Sequence, residues 1–239
     1  LVACIQLYFS DIVAVQADGD REHLPSWLTN RSTNNVVTLL NWLPPQALTD
    51  TQAALEQALG FNLWSKLSEK KVCLYAGTLG VAQDVGKVAD IVSACERDES
   101  IFFLFVGSGA SAEKAFVKEA GRKLKNYVFV DTIHSDLVKP LCELCSVGLV
   151  SLDVRHRSHH VPGKFLSYLQ AGLPVAATIN SGNALGATIR EAQLGIVDVE
   201  NDIDCFSTSL MEMISDDEGL ARRGLLCKEY YSTHFSVSA

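Results

Sequence analysis

KVCLYAGTLG, Lys71–Gly80, decides the fold. An apolar run from Val72 to Ala76 ends on Gly77-Thr78-Leu79-Gly80, and a helical stripe of Val85, Val88, Ala89 and Val92 follows. An apolar run without polar alternation fits a parallel strand covered on both faces, and a glycine turn into a helix fits its crossover connection. The same unit repeats downstream. Ile101–Val106, Tyr127–Val130, Val147–Leu152, Val175–Thr178 and Ile196–Val199 read as further strands. Between them run the stripes Ala112/Ala115/Phe116/Ala120, Leu137/Leu141/Leu144/Cys145, Phe165/Leu166/Leu169 and Leu185/Ile189, and Ile203/Phe206/Leu210/Met213/Ile214 closes the series. This alternation predicts an α/β fold, a doubly wound parallel sheet.

Outside this block the pattern changes. Asp11–Gln16 reads as a strand, Arg21–Leu28 as a short helix and Val36–Leu40 as a second strand. The Pro-containing stretch Asn41–Leu48 breaks the pattern before Thr51–Leu59 resumes as a helix. Two strands do not make an independent sheet with a sizeable core. Residues 1–60 are therefore read as the tail of a preceding domain and a linker, 61–215 as the ligand-binding domain, and 216–239 as helices lying against its outside.

The bulk properties narrow the function. A net charge of −8 and a pI near 5.2 argue against nucleic acid as a partner, so an anionic ligand needs a local site. No apolar run approaches the roughly 20 residues of a membrane span. The seven cysteines are odd in number and scattered. With Cys73, Cys95, Cys145 and Cys205 in apolar elements, they fit reduced, buried thiols of a cytoplasmic protein rather than a disulfide framework.

Two glycine turns, Gly77–Gly80 and Gly107-Ser108-Gly109, follow adjacent candidate strands and precede helices, where a doubly wound sheet binds ligands. Each alone also fits a plain strand-to-helix turn. Downstream, Arg155–Phe165 (RHRSHHVPGKF) is the basic stretch of an acidic chain, placed before a helix that Pro162 can start. A lysine in the first helical turn opposes the helix dipole unless an anion sits there, which marks Lys164 as a diphosphate contact. His156, His159 and His160 lie close together, but Asp153 is the one carboxylate near them. No metal site is read there. Cys142 and Cys145, at i, i+3, read as core and flank of a helix.

The run from Val161 to Leu185, with PGKFLSYLQAGLPVAATINSGNAL after its valine, resembles the donor-binding segment of bacterial retaining GT-B glycosyltransferases of the group 1, family-four-like kind. The likeness is to the O-antigen and capsule branch with the L-fucosamine transferases. KVCLYAGTLG and FLFVGSGA resemble the first two strand–loop units of that family's C-terminal domain. NVVTLLNWLPP resembles the crossover from the N-terminal domain, DIVAVQADGDREHLPSWL the end of that domain, and EYYSTHFSV the final helix.

The resemblance implies a Rossmann-like C-terminal domain of a GT-B fold with a remnant of the N-terminal domain. It implies an enzyme, a hexosyltransferase type, whose isolated donor half does not act alone. Gly77, Thr78, Leu79 and Gly80 would approach the diphosphate or sugar, and Pro162, Gly163, Lys164 and Phe165 would meet the diphosphate. Gly107 and Ser108 would lie near the nucleoside, Thr132, Ile133 and His134 near the base, and Ser167 at the ribose. His159 and His160 are the catalytic candidates. No cofactor or metal is implied: the substrate is a nucleotide-diphosphate sugar, UDP-linked and carrying an N-acetylated amino sugar. The acceptor would be a lipid-linked glycan of lipopolysaccharide, O-antigen or capsule synthesis, reached through the N-terminal domain. The location would be cytoplasmic, at the inner face of the plasma membrane.

The sequence also departs from the family pattern. His159 and Ser167 stand where many relatives carry two glutamates, Thr78 and Gln83 where an Arg/Lys pair is common, and Ala184 where Gly-Asn-Asp-Leu has its aspartate. The serine is shared with the fucosamine-like branch. Two other readings stay open: a UDP-sugar 2-epimerase of the same architecture, and a non-catalytic nucleotide-sugar-binding module.

Overall fold

A computed structural model describes residues 7–16, 21, 24–29, 35–39, 43, 51–107, 109–153, 155 and 161–236. Two short parallel strands, β1 (Ile12–Val15) and β2 (Asn35–Thr38), pair in register. Helix α1 is Ser26–Thr29, shorter than the expected Arg21–Leu28 because it begins only after Pro25. Helices α2 (Thr51–Leu59) and α3 (Phe61–Ser68) follow.

The main sheet is built from β3 (Lys71–Ala76), β4 (Ile101–Val106), β5 (Tyr127–Val130), β6 (Val147–Ser151), β7 (Val175–Thr178) and β8 (Gly195–Asp198). Its six strands are parallel, in the order β5-β4-β3-β6-β7-β8. The chain thus works outward from β3 to β5, returns to the other side of β3, and works outward again to β8. The expected doubly wound sheet is present, and its switch point lies between β3 and β6.

The helices α4 (Val85–Ala94), α5 (Gly109–Ala120), α6 (Val138–Leu144), α7 (Gly163–Ala171), α8 (Ala184–Glu191), α9 (Ile203–Ser215) and α10 (Asp217–His234) cover both faces. Alternation along β3 sends Val72 and Leu74 into one core and Cys73 and Tyr75 into the other. The first core takes Leu55, Leu67, Leu141, Phe165, Leu169 and Ile189 from α2, α3, α6, α7 and α8. The second takes Val88, Val92, Phe116, Phe206 and Leu210 from α4, α5 and α9. β4 is buried at every position, as a strand between two apolar layers must be.

Three details differ from the pattern. The last helix does more than lie against the outside: α10 supplies Cys227, Tyr231 and, just beyond it, Phe235 to the first core, and the Tyr231 hydroxyl donates to the Leu43 carbonyl (3.1 Å). Cys205 is exposed, because the stripe of Phe206, Leu210 and Met213 turns it outward, although the described cysteines are all free thiols as expected. Leu144 and Ala115 also face solvent, and Cys142 takes the buried place on α6. No helix among the described residues is long and apolar enough to cross a membrane.

Candidate functional site

The site is assembled where β3 and β6 part. Their ladder pairs only Cys73 with Val147 and Leu74 with Gly148, whereas β3 and β4 stay paired from Lys71/Ile101 to Ala76/Val106. The gap is closed by Tyr168 of α7. Its hydroxyl accepts from the Ala76 N–H (2.9 Å), and its single proton faces the carbonyls of Leu74 (3.1 Å) and Leu149 (3.3 Å). The ring lies over Gly148, where an added Cβ would stand 2.4 Å from the Tyr168 ring. Tyr168 is fully buried, and burial holds its phenol in the protonated, donating form.

One turn earlier on α7, Lys164 reaches the end of β3. A Cβ built on Gly77 would meet Lys164 Cε at 3.6 Å, and the Lys164 ammonium lies 3.6 Å from the centroid of the Tyr75 ring. Tyr75 is held from below by Phe105 and by its hydroxyl, which donates to the Thr78 carbonyl (3.1 Å). Among the described residues no carboxylate lies within 4 Å of Lys164, and burial lowers its pKa to about 7. A cation on an aromatic face is attracted by the ring quadrupole, yet the desolvated ammonium has no carboxylate beside it among the described residues. The ring therefore offsets part of the conflict between this lysine and the helix dipole, while burial adds to the cost of the charge.

The amino terminus of α7 leaves donors open. Pro162 is its N-cap and offers no side-chain cap, and Phe165 N–H bonds the Pro162 carbonyl (2.9 Å). The Gly163 and Lys164 amides make no hydrogen bond among the described residues. Unpaired N–H groups at a helix start suit an anion. Ser167, half-buried one turn along, donates to the Gly163 carbonyl (3.5 Å).

The two glycine turns meet as expected. A Cβ on Gly107 would stand 3.4 Å from Gly77 Cα, and both glycines have positive φ, 100° and 112°, which other residues rarely adopt. Their own amides are occupied: Gly77 donates to Val106 (2.7 Å), Gly107 to Val130 (3.1 Å), and Gly80 to the Gln83 side chain (3.0 Å). Thr78 is exposed with an unpaired amide among the described residues. Leu79 and Phe165 have buried side chains, one in each core, so only their backbone could meet a ligand. Thr132, Ile133 and His134 follow β5, next to Gly107 at the same sheet end. The exposed His134 caps its own turn, accepting from Asp136 N–H (3.4 Å). Ser108, His156, His159 and His160 lie outside the described residues.

Sequence reasoning missed Tyr75, Gly148, Tyr168 and Lys87. Lys87 is buried on α4 and donates to the Leu152 carbonyl (3.4 Å), with Asp84 Oδ2 at 4.0 Å. Burial lowers its pKa against the opposing pull of Asp84, Asp198 and Asp153. Asp153 N–H donates to the Ala82 carbonyl (3.0 Å), so the loops after β3 and β6 are stitched together beneath the site. Asp153 is clamped by Arg155, which holds its carboxyl well below the usual range. Asp84 caps α4 with φ at 52°.

No family model matches the chain, and no curated protein matches it by sequence. Solved structures do. Sucrose-phosphate synthase from Thermosynechococcus elongatus superposes with a TM-score of 0.72 at 15% identity, over 99% of this chain and 57% of its own. The chain has the Rossmann-like fold of a GT-B domain. S. aureus TarM, solved with fondaparinux, alpha-GlcNAc-glycerol and UDP, gives 0.68 at 12% identity over 98% of this chain and 43% of its own. WaaG, a glycosyltransferase involved in lipopolysaccharide biosynthesis, gives 0.64 at 13% identity, covering 93% and 58%. The chain thus spans about half the length of these GT-B structures.

Proposed function

We propose that this chain is the donor-binding half of a glycosyltransferase, and that the cleft beside β3 and β6 holds the diphosphate of a UDP-linked sugar. One observation carries the reading. The Lys164 ammonium, without a carboxylate partner among the described residues, stands beside Gly77 on the helix whose first amides are open. An anion there gains the charge of Lys164, the N–H groups of Gly163 and Lys164, and the positive end of α7. The same groups would stabilise the diphosphate as it leaves in sugar transfer, without calling on a metal ion. The likeness to WaaG, named as a glycosyltransferase, and to TarM, solved with UDP, supports this.

In this reading residues 61–215 are the donor domain, 1–60 come from an acceptor domain and linker, and 216–239 close back on the fold. The donor sugar is an N-acetylated amino sugar transferred with retention. The acceptor is a lipid-linked glycan of lipopolysaccharide, O-antigen or capsule synthesis, and the protein works in the cytoplasm at the inner membrane face. Ser167 meets the ribose, and residues 132–134 meet the base. Calorimetry with UDP tests the site. Lys164→Ala should weaken binding roughly 30-fold, about 2 kcal/mol for one charge-assisted contact, while uridine affinity stays unchanged. Equal UDP affinities for both proteins would remove Lys164 from the site.

A further inference from the structure

We infer that Tyr168 is a positioning residue for Lys164, its hydroxyl pinning α7 to the parted ends of β3 and β6 and so fixing the ammonium beside Gly77. The inference rests on the phosphate-binding reading of that cleft. A phenylalanine would fill the same volume, so the hydroxyl needs its own explanation. It bonds backbone groups of two strands where their ladder stops: Ala76 N–H and the Leu74 carbonyl on β3, and the Leu149 carbonyl on β6. Ala76 immediately precedes Gly77, where an added Cβ would meet Lys164 Cε at 3.6 Å. Lys164 and Tyr168, at i, i+4, lie on one side of α7, so a shift of the tyrosine moves the lysine with it.

Phe165 anchors that helix start by packing in the first core, while Tyr168 ties the helix to the strands by hydrogen bonds. Pro162 provides no side-chain cap, and the Ser167 contact is internal to α7. The group facing the ammonium is the ring of Tyr75 on β3, itself tied to Thr78. Gly148 completes the device, because any side chain there would expel the Tyr168 ring.

The test compares the full chain with Tyr168→Phe by two readouts, the titration of Lys164 followed through its side-chain carbon signals and UDP calorimetry. In the wild type Lys164 should titrate near 7. In Tyr168→Phe a loosened, better-hydrated ammonium should titrate about one pH unit or more closer to an ordinary lysine, and UDP affinity should fall roughly tenfold. Lys164→Ala and Lys164→Ala/Tyr168→Phe should bind UDP equally, since the tyrosine acts through the lysine. A Tyr168→Phe protein that melts lower yet keeps the wild-type titration and affinity overturns the inference, as does a change in only one of the two while UDP still binds. If no protein binds UDP, the proposed function fails, and the titration alone decides the role of Tyr168.

Discussion

The two flanks of β3 are built differently. Towards β4 the strand is paired along its whole length, and its end is sealed by the Gly77 N–H to Val106 bond (2.7 Å). Towards β6 the ladder stops after Leu74/Gly148, and a tyrosine from a helix takes over. The closed flank is held by regular backbone bonds over an aromatic floor, with Phe105 stacked on Phe129 (4.5 Å between centroids). The open flank is held by side chains: Tyr168 in the gap, Lys164 above it, and Lys87 below it. Parting of strands at a switch point makes room for a ligand, and the backbone groups it frees must be satisfied by something other than the ladder.

The largest expected effect comes from closing the room that the tyrosine occupies. Gly148→Ala puts a Cβ into the Tyr168 ring, a clash that neither strand nor helix can relieve, and should lower unfolding free energy by about 3 kcal/mol in denaturant titrations. A near-neutral outcome would mean that the open flank is loose rather than wedged. A smaller effect should follow from Lys164 itself. With its pKa lowered to about 7 in the fold against ~10.4 in the unfolded chain, folding expels a proton between those values. The charged form is therefore a burden below pH 7 that is relieved as pH rises. Lys164→Met should be more stable than wild type by about 1 kcal/mol at pH 6, a figure reduced for its partial solvent contact, with the gap closing towards pH 10. A gap that widens with pH would contradict the burial of the ammonium.

Smaller again is the stitch beneath the site. Lys87→Met removes the bond to Leu152 and the cation among Asp84, Asp153 and Asp198. It should lower the protection of the 77–84 loop amides in hydrogen exchange, with a change in global stability smaller than that of Lys164→Met. Unchanged exchange there would show that the Asp153 to Ala82 bond holds the two loops by itself.

Much of this architecture was legible in the sequence, because strands buried on both faces advertise themselves. KVCLYA, FLFV and VAAT have no polar alternation, and the stripes between them repeat at helical spacing. Gly77, Gly107 and Lys164 were legible for a local reason: glycines after strands and a lysine at a helix start each break an ordinary rule. Tyr75, Gly148 and Tyr168 were not. Each sits inside an apolar run where its residue type is unremarkable, and its role exists only through a partner about 20 to 90 positions away. Lys87 carried a signal that could have been read, a lysine wedged between Val85, Val88 and Ala89 on the buried stripe of α4. The edges of elements moved by a residue at Lys71, Ser151 and Gly195, where side-chain pattern says little about which backbone pair closes the ladder.

The central claim is that the open flank of β3 receives a diphosphate on Lys164, and proton counting tests it most directly. Calorimetry of UDP binding at pH 8, in buffers of different ionisation enthalpy, measures the protons taken up. An ammonium whose pKa lies near 7 in the free protein is mostly neutral at pH 8 and must be recharged by the phosphate. The wild type should take up close to one proton per UDP, and Lys164→Ala none. The same proton count in both proteins, or none in the wild type, would contradict it.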